Sequence, residues 1–266
     1  MTNLKLKQKI DSLPQSAKIL DAGGWFKPFS LATHVVDLMP WETRGGKLQL
    51  EALPDERFTK QTWHQINFLQ PNLELPFDDK YFDFSICSHT LEDLIEPLPL
   101  IHELMRVSRA GYIEVPSRLH EQTVGVSNRS SDIVGHSHHH WIIDREENQL
   151  IFYKKLSSSA SSVYSYAIPL GFYERMTSKN SELTITHLFW EKQIEAKFES
   201  DALAENKARE FKQSLNISSR GMLSDQLIRF SRRIRDSLTA KNSVSKENWW
   251  NEVVSLSQPY TSIELS

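Results

Sequence analysis

"LPFDDKYFDFSICSHTLEDL", Leu75 to Leu94, is the stretch on which the fold turns. Pro76 to Lys80 reads as a turn, and Tyr81 to His89 is dense in aromatic and apolar residues, so a strand ending near His89 is expected. Thr90 to Leu94 should then open a helix. From Pro97, "PLPLIHELMRVSR" sets Leu100, Ile101, Leu104 and Met105 on one face of a helix, and "AGYIEVPS" reads as a further strand stopped at Pro116. Strand, helix, strand predicts a parallel sheet with helices packed on it.

Working outward, "AKIL" before Asp21 and "THVV" before Asp37 are short apolar runs that each end in a carboxylate, as buried parallel strands do. The connection from Ala22 to Thr33 contains Gly23, Gly24 and Pro28 and is close to the shortest parallel crossover, leaving room for one turn of helix at most. Beyond Gly125 the texture changes. "WIID" and "QLIFYKK" around the charged turn "REEN" predict a hairpin, Val163 to Ile168 and Glu182 to Phe198 predict strands, and the chain reads as helical from Ser200 on. In that last part "SDQLIRFSRRIRDSL" gathers Leu227, Ile228, Phe230 and Ile234 as a surface helix. The organisation expected is a main α/β domain over 1–200, with a β-rich insertion after about residue 135, and a helical extension over 201–266.

With 266 residues, 39% of them apolar, the chain can bury a sizeable core. The net charge of −3 gives no electrostatic reason to expect nucleic acid, and the one cysteine, Cys87, excludes an internal disulfide. "MTNLKLKQKI" lacks the apolar core of a signal peptide, and no apolar run is long enough to span a membrane, so a cytoplasmic location is expected.

Open parallel sheets bind ligands beyond the carboxyl ends of their strands, where strand order reverses. Asp21, Gly23 and Gly24 follow the first strand, and the glycines would let backbone approach a ligand; Asp37 follows the second, placed to accept from a ribose diol. An ordinary turn with a capping Asp explains "DAGG" alone equally well. "GHSHHHW" clusters His136, His138, His139 and His140. If this run enters a strand, neighbours point to opposite faces and only His138 with His140, or His136 with its alternates, could converge, so no metal is expected there. A substrate-pocket role, general-base use and a structural loop all stay open.

Taken together, "ILDAGGWFKPF", "THVVDLMPWE", "LPFDDKYFDF", "CSHTLEDL", "ELMRVSRAGYIEVPSR" and "HSHHHW" resemble the class I S-adenosylmethionine-dependent methyltransferases, in particular the type 11 branch, over about residues 17–145. The resemblance implies a Rossmann-like sheet with helices on both faces and S-adenosyl-L-methionine as cofactor. It places Asp21, Gly23 and Gly24 at the methionine end, Asp37 on the ribose, Asn67 and Phe68 beside the adenine, and Ser88 and His89 along the pocket. Glu92 and Asp93 read as solvated acids of a first helical turn. Trp25 departs from the family's usual small residue, and the indole either packs beneath the loop or plugs it. With the ribose as its partner, Asp37 would be dispensable for the stability of the apo protein. His89, His140 and Glu121 are the candidates for catalytic base or substrate positioning. The implied function is methyl transfer to a small-molecule or glycan-like acceptor. A non-catalytic nucleoside-binding or scaffold protein on the same fold is the alternative, and a NAD-dependent oxidoreductase, lacking G-x-G-x-x-G, a more distant one.

Overall fold

In the computed structural model, residues 4–46, 55–70, 72–127, 133–156, 163–217, 227 and 231 are described, so the helix expected over 224–238 lies almost wholly outside them. The described chain packs as two compact units, the first from 4–113 with 188–194, the second mainly from 114–187 with 195–217.

The first unit begins with helix α1 (Leu4–Asp11) and continues through strands β1 (Ile19–Ala22), β2 (His34–Asp37), β3 (Trp63–Gln65) and β4 (Phe84–Ser88). Helix α2 (Leu98–Val107) and strand β5 (Ala110–Pro116) follow. Later elements, in chain order, are α3 (Arg118–Glu121), β6 (Trp141–Glu146), β7 (Gln149–Lys154), α4 (Val163–Tyr166), α5 (Leu170–Thr177), β8 (Ile185–Glu191), β9 (Glu195–Phe198) and α6 (Asp201–Ser214).

Six strands form one sheet in the order β3-β2-β1-β4-β5-β8, with β1 parallel to both β2 and β4 and β2 parallel to β3. The alternation of strand and helix predicts this parallel sheet, and the resemblance implies its Rossmann-like α/β form. The chain adds strands on one side of β1 and then on the other, so strand order reverses between β1 and β4. β1 and β4 are almost wholly buried, as central parallel strands are, with Asp21, Ser85 and Ser88 as their polar members. α2 buries the expected Leu100, Ile101 and Leu104, with Val107 in place of Met105, which is half-buried, and Leu6 and Ile10 of α1 join the core around Ile19, Val35 and Phe84.

The second unit contains the predicted hairpin. β6 and β7 pair antiparallel with Glu146 opposite Gln149, and Glu147 takes the left-handed conformation (φ 50°) that a two-residue connection requires. β9 pairs parallel with β7. Three expectations fail. Val163–Tyr166 is a helical turn rather than a strand. Glu182 to Phe198 is broken into β8 and β9 by a reversal at Lys192 (φ 67°). Thr90 to Leu94 is a turn, and helix begins only after Pro97, whose ring and that of Pro99 fit a first turn with no backbone donor to lose. No described helix is long and apolar enough to cross a membrane.

Candidate functional site

With Asp21 next to the end of β1, Asp37 ending β2 and Ser88 ending β4, the parallel sheet carries polar residues at one rim. Asp21 is 3% exposed and Asp37 6%. The Asp21 carboxylate accepts the Phe29 N–H at 2.8 Å, and burial, with Asp37 nearby, pushes it up to about 7. Asp37 accepts the Trp25 N–H on Oδ2 (2.9 Å) and the Met39 N–H on Oδ1 (2.8 Å); burial outweighs these bonds and raises it to about 6. Asp37 is therefore a structural anchor as well as a rim acid. A carboxylate has about four lone-pair sites, and with Leu38 as a third backbone partner some acceptor capacity still remains for a ribose hydroxyl.

The two glycines have local reasons of their own. Gly23 holds φ +84°, and a Cβ there would come within 1.8 Å of Thr90 Oγ1; a Cβ on Gly24 would meet the Asp21 carboxylate at 2.4 Å. The turn therefore closes against β4's exit and against its own acid. Trp25 is fastened, its indole N–H donating to the Thr43 carbonyl oxygen (2.7 Å) and to Thr43 Oγ1 (3.0 Å). The indole thus lies against the segment after β2. Past β3, the Ile66 N–H donates to the Asp37 carbonyl, Asn67 Oδ1 accepts the Leu69 N–H at 2.9 Å, and Phe68 is buried.

At the end of β4, His89 has φ +53°, a costly conformation for a residue with a Cβ, and its side chain is half exposed. Beside it is the residue that the sequence misplaces. Glu92 is not solvated: it is 1% exposed, its Oε1 lies 3.4 Å from His89 Nδ1, and neither carboxylate oxygen has a hydrogen-bond partner among the described residues. Glu92 and Asp21 both push the Cys87 thiol up, after burial itself, so the two acids lie around the same β4 position. The strand order reverses at this place, and it is strongly acidic.

The second unit holds the other cluster. Glu121, 1% exposed, accepts from His139 Nδ1 (2.8 Å) and from Lys155 Nζ (2.7 Å). Burial alone would raise its carboxyl, but these partners hold it down to about 2. Such a group takes up no proton near neutrality. His136 lies 3.2 Å from His120, nitrogen to nitrogen, and is lowered to about 4 by burial and by the neighbouring imidazoles. His140 is exposed, and its carbonyl oxygen accepts the Lys155 N–H. Contrary to the alternation argument, β6 starts only at Trp141, and the histidines that converge are His136, His138 and His139. His120, which nothing in "SRLHEQ" singles out, joins them from α3. Ser117 caps that helix, and Arg118 pairs with Asp144 at 2.8 Å, so both are structural in this unit.

Against known proteins, residues 45–113 match the sequence model of a methyltransferase domain, which bears out the resemblance to the type 11 branch of the class I enzymes. Among solved structures, a methyltransferase from Aquifex aeolicus is similar at 16% identity over 43% of this chain and 64% of its own (TM-score 0.32). The YcgJ protein of Bacillus subtilis is similar at 17% identity over 43% and 50% (TM-score 0.31). A methyltransferase-like protein of Bacillus halodurans is similar at 12% identity over 95% and 89% (TM-score 0.33). No curated protein matches the chain.

Proposed function

We propose that this protein binds S-adenosyl-L-methionine at the rim of Asp21, Asp37 and Glu92 and transfers its methyl group to a small-molecule or glycan-like acceptor. Glu92 carries the reading. A buried carboxylate without a hydrogen-bond partner is costly and calls for a cationic or donor group, and this one lies where open α/β sheets take their ligands. The cofactor's sulfonium and ammonium meet that demand. Asp37 keeps acceptor capacity for the ribose hydroxyls, and Asn67 and Phe68 follow β3 where the family receives adenine.

When bound, the cofactor supplies an activated methyl group with a built-in leaving group, so the chain's work is to position the acceptor and, where needed, to remove a proton. His89 is the residue we assign to that task. It lies at the rim, half exposed, held in a strained backbone, with the Glu92 carboxylate next to Nδ1 to favour the imidazolium that proton removal creates. Glu121 is committed to Lys155 and His139 and serves as an orienting group instead.

Calorimetry and thermal shift with S-adenosylmethionine, S-adenosylhomocysteine and NAD test the reading. Micromolar binding of the first two without NAD binding is expected. NAD binding alone would favour the oxidoreductase alternative, and binding of none would favour the non-catalytic one.

A further inference from the structure

We propose that His136, His138 and His139 form a binding site for a divalent transition-metal ion of the zinc type. One ring nitrogen from each of the three lies within 4.8 Å of the others. In a tetrahedral site with bonds of about 2.0–2.1 Å, ligand nitrogens stand roughly 3.3 Å apart, so the side chains need to draw in by only about 1–1.5 Å. The expectation of a metal-free cluster rested on strand alternation, and these histidines precede the strand.

The segment that carries them is pinned at both ends. Val134 bridges Val124, the Gly135 N–H donates to the Thr123 carbonyl at 2.9 Å, and beyond the cluster the Lys155 N–H donates to the His140 carbonyl at 2.8 Å. Gly135 (φ +61°) passes so close to Glu121 that a Cβ would lie 2.5 Å from its Oε2. Lys155 Nζ bridges Glu121 Oε2 and the His136 carbonyl oxygen. The histidines are thus presented on a braced turn.

A second layer of contacts has the form found around metal-binding imidazoles. Such rings give one N–H to a carboxylate or another acceptor, which fixes the tautomer and turns the other nitrogen's lone pair toward the ion. His139 meets Glu121 through Nδ1, which leaves the lone pair on Nε2. For His136, the tautomer metal binding requires is Nε2–H donating to His120 Nε2, with His120 Nδ1–H passing on to the Tyr173 hydroxyl at 2.8 Å. Three imidazoles without a thiolate suit zinc, copper, nickel or iron, and three protein ligands leave a fourth position for water or another small ligand. His138 is exposed, so an ion can enter from solvent.

The test uses the full chain without a histidine tag, titrated with zinc chloride by calorimetry and followed by metal analysis after desalting. One equivalent with a dissociation constant of about a micromolar or tighter is expected. His138→Ala should weaken it at least tenfold, while His140→Ala, one residue from the cluster's edge, leaves it unchanged. Glu121→Gln should weaken it roughly ten- to a hundredfold by loosening His139. Because Glu121 is buried, its variant counts only with a wild-type-like circular dichroism spectrum; exposed His138 keeps the proposal testable regardless. Binding weaker than about 100 μM, or equal losses in His138→Ala and His140→Ala, overturns the site. Retention of nickel or copper in place of zinc overturns the choice of ion.

Discussion

Replacing Glu92 with Gln removes a charge and little volume, and it should move stability and ligand affinity in opposite directions. A carboxyl group 1% exposed and without a hydrogen-bond partner has lost its hydration, which makes its charged form costly by several kcal/mol. His89 Nδ1, 3.4 Å away, belongs to a half-exposed ring that solvent screens, so it offsets little of that cost. The amide also pays to be buried, about 1–3 kcal/mol, so the net gain for the apo protein is roughly 1–3 kcal/mol. At about 2–4 °C for each kcal/mol in a chain of this size, the melting temperature rises by several degrees. Affinity for S-adenosylmethionine should fall at least tenfold, about 1.4 kcal/mol, because the charge facing its cationic end is gone. S-adenosylhomocysteine, which has no sulfonium charge, should lose less. Thermal unfolding without ligand and calorimetry with both ligands read these effects separately. A variant that melts lower and binds both ligands as the wild type does would show Glu92 to be an internal structural group and would remove the main support for the cofactor site.

Asp37→Ala should destabilise the apo protein, since it orphans the Trp25 and Met39 N–H groups at roughly 1–3 kcal/mol each, less whatever relief comes from removing a buried acid; an unchanged denaturation midpoint refutes this. Asp21 and Asp37, raised from 3.8 to about 7 and about 6, hold protons in the folded state at pH values where the unfolded chain has lost them. Their contribution to apo stability therefore falls as pH rises from about 4 to about 7 and is level above that. A cationic ligand favours the ionised forms, so S-adenosylmethionine should bind more tightly at pH 8 than at pH 5.5 and release protons on binding at pH 6; affinity independent of pH refutes the coupling. Trp25→Gly frees the loop from Thr43 and should weaken S-adenosylmethionine binding, whereas a wild type that binds nothing beside a variant that binds would mean that the loop is plugged.

What could be read from the sequence was what is encoded locally. Strands β1, β2 and β4 are short apolar runs with a polar stop, and α2 has an unbroken stripe, so period and punctuation were enough to place them and to expect Asp21 and Asp37 at one rim. "VYSYAI" satisfies the same strand criteria and yet turns helical at Val163–Tyr166; only Ile168 makes a bridge, to Thr123, a partner 45 positions away that periodicity does not reveal. The break at Lys192 was likewise hidden, because a left-handed lysine leaves no mark of the kind that glycine does. The sites follow the same division. Alternation along a strand was sound geometry applied to the wrong residues: with β6 opening at Trp141, the histidines belong to a turn, where i and i+2 need not share a face and i+3 can. Glu92 failed for a related reason. In "TLEDL" it reads as an ordinary helical acid, whereas the segment is a turn that buries it just beyond β4, where β1 pairs with Asp21 opposite Ile86 and Ala22 opposite Cys87. Asp21 of β1 and Glu92 of the turn after β4 thus both act on the Cys87 thiol. β1 and β2 each announce a carboxylate near the strand end, but the chemistry depends on how many carboxylates share one dry place, and that number is set by the tertiary fold rather than by any one segment.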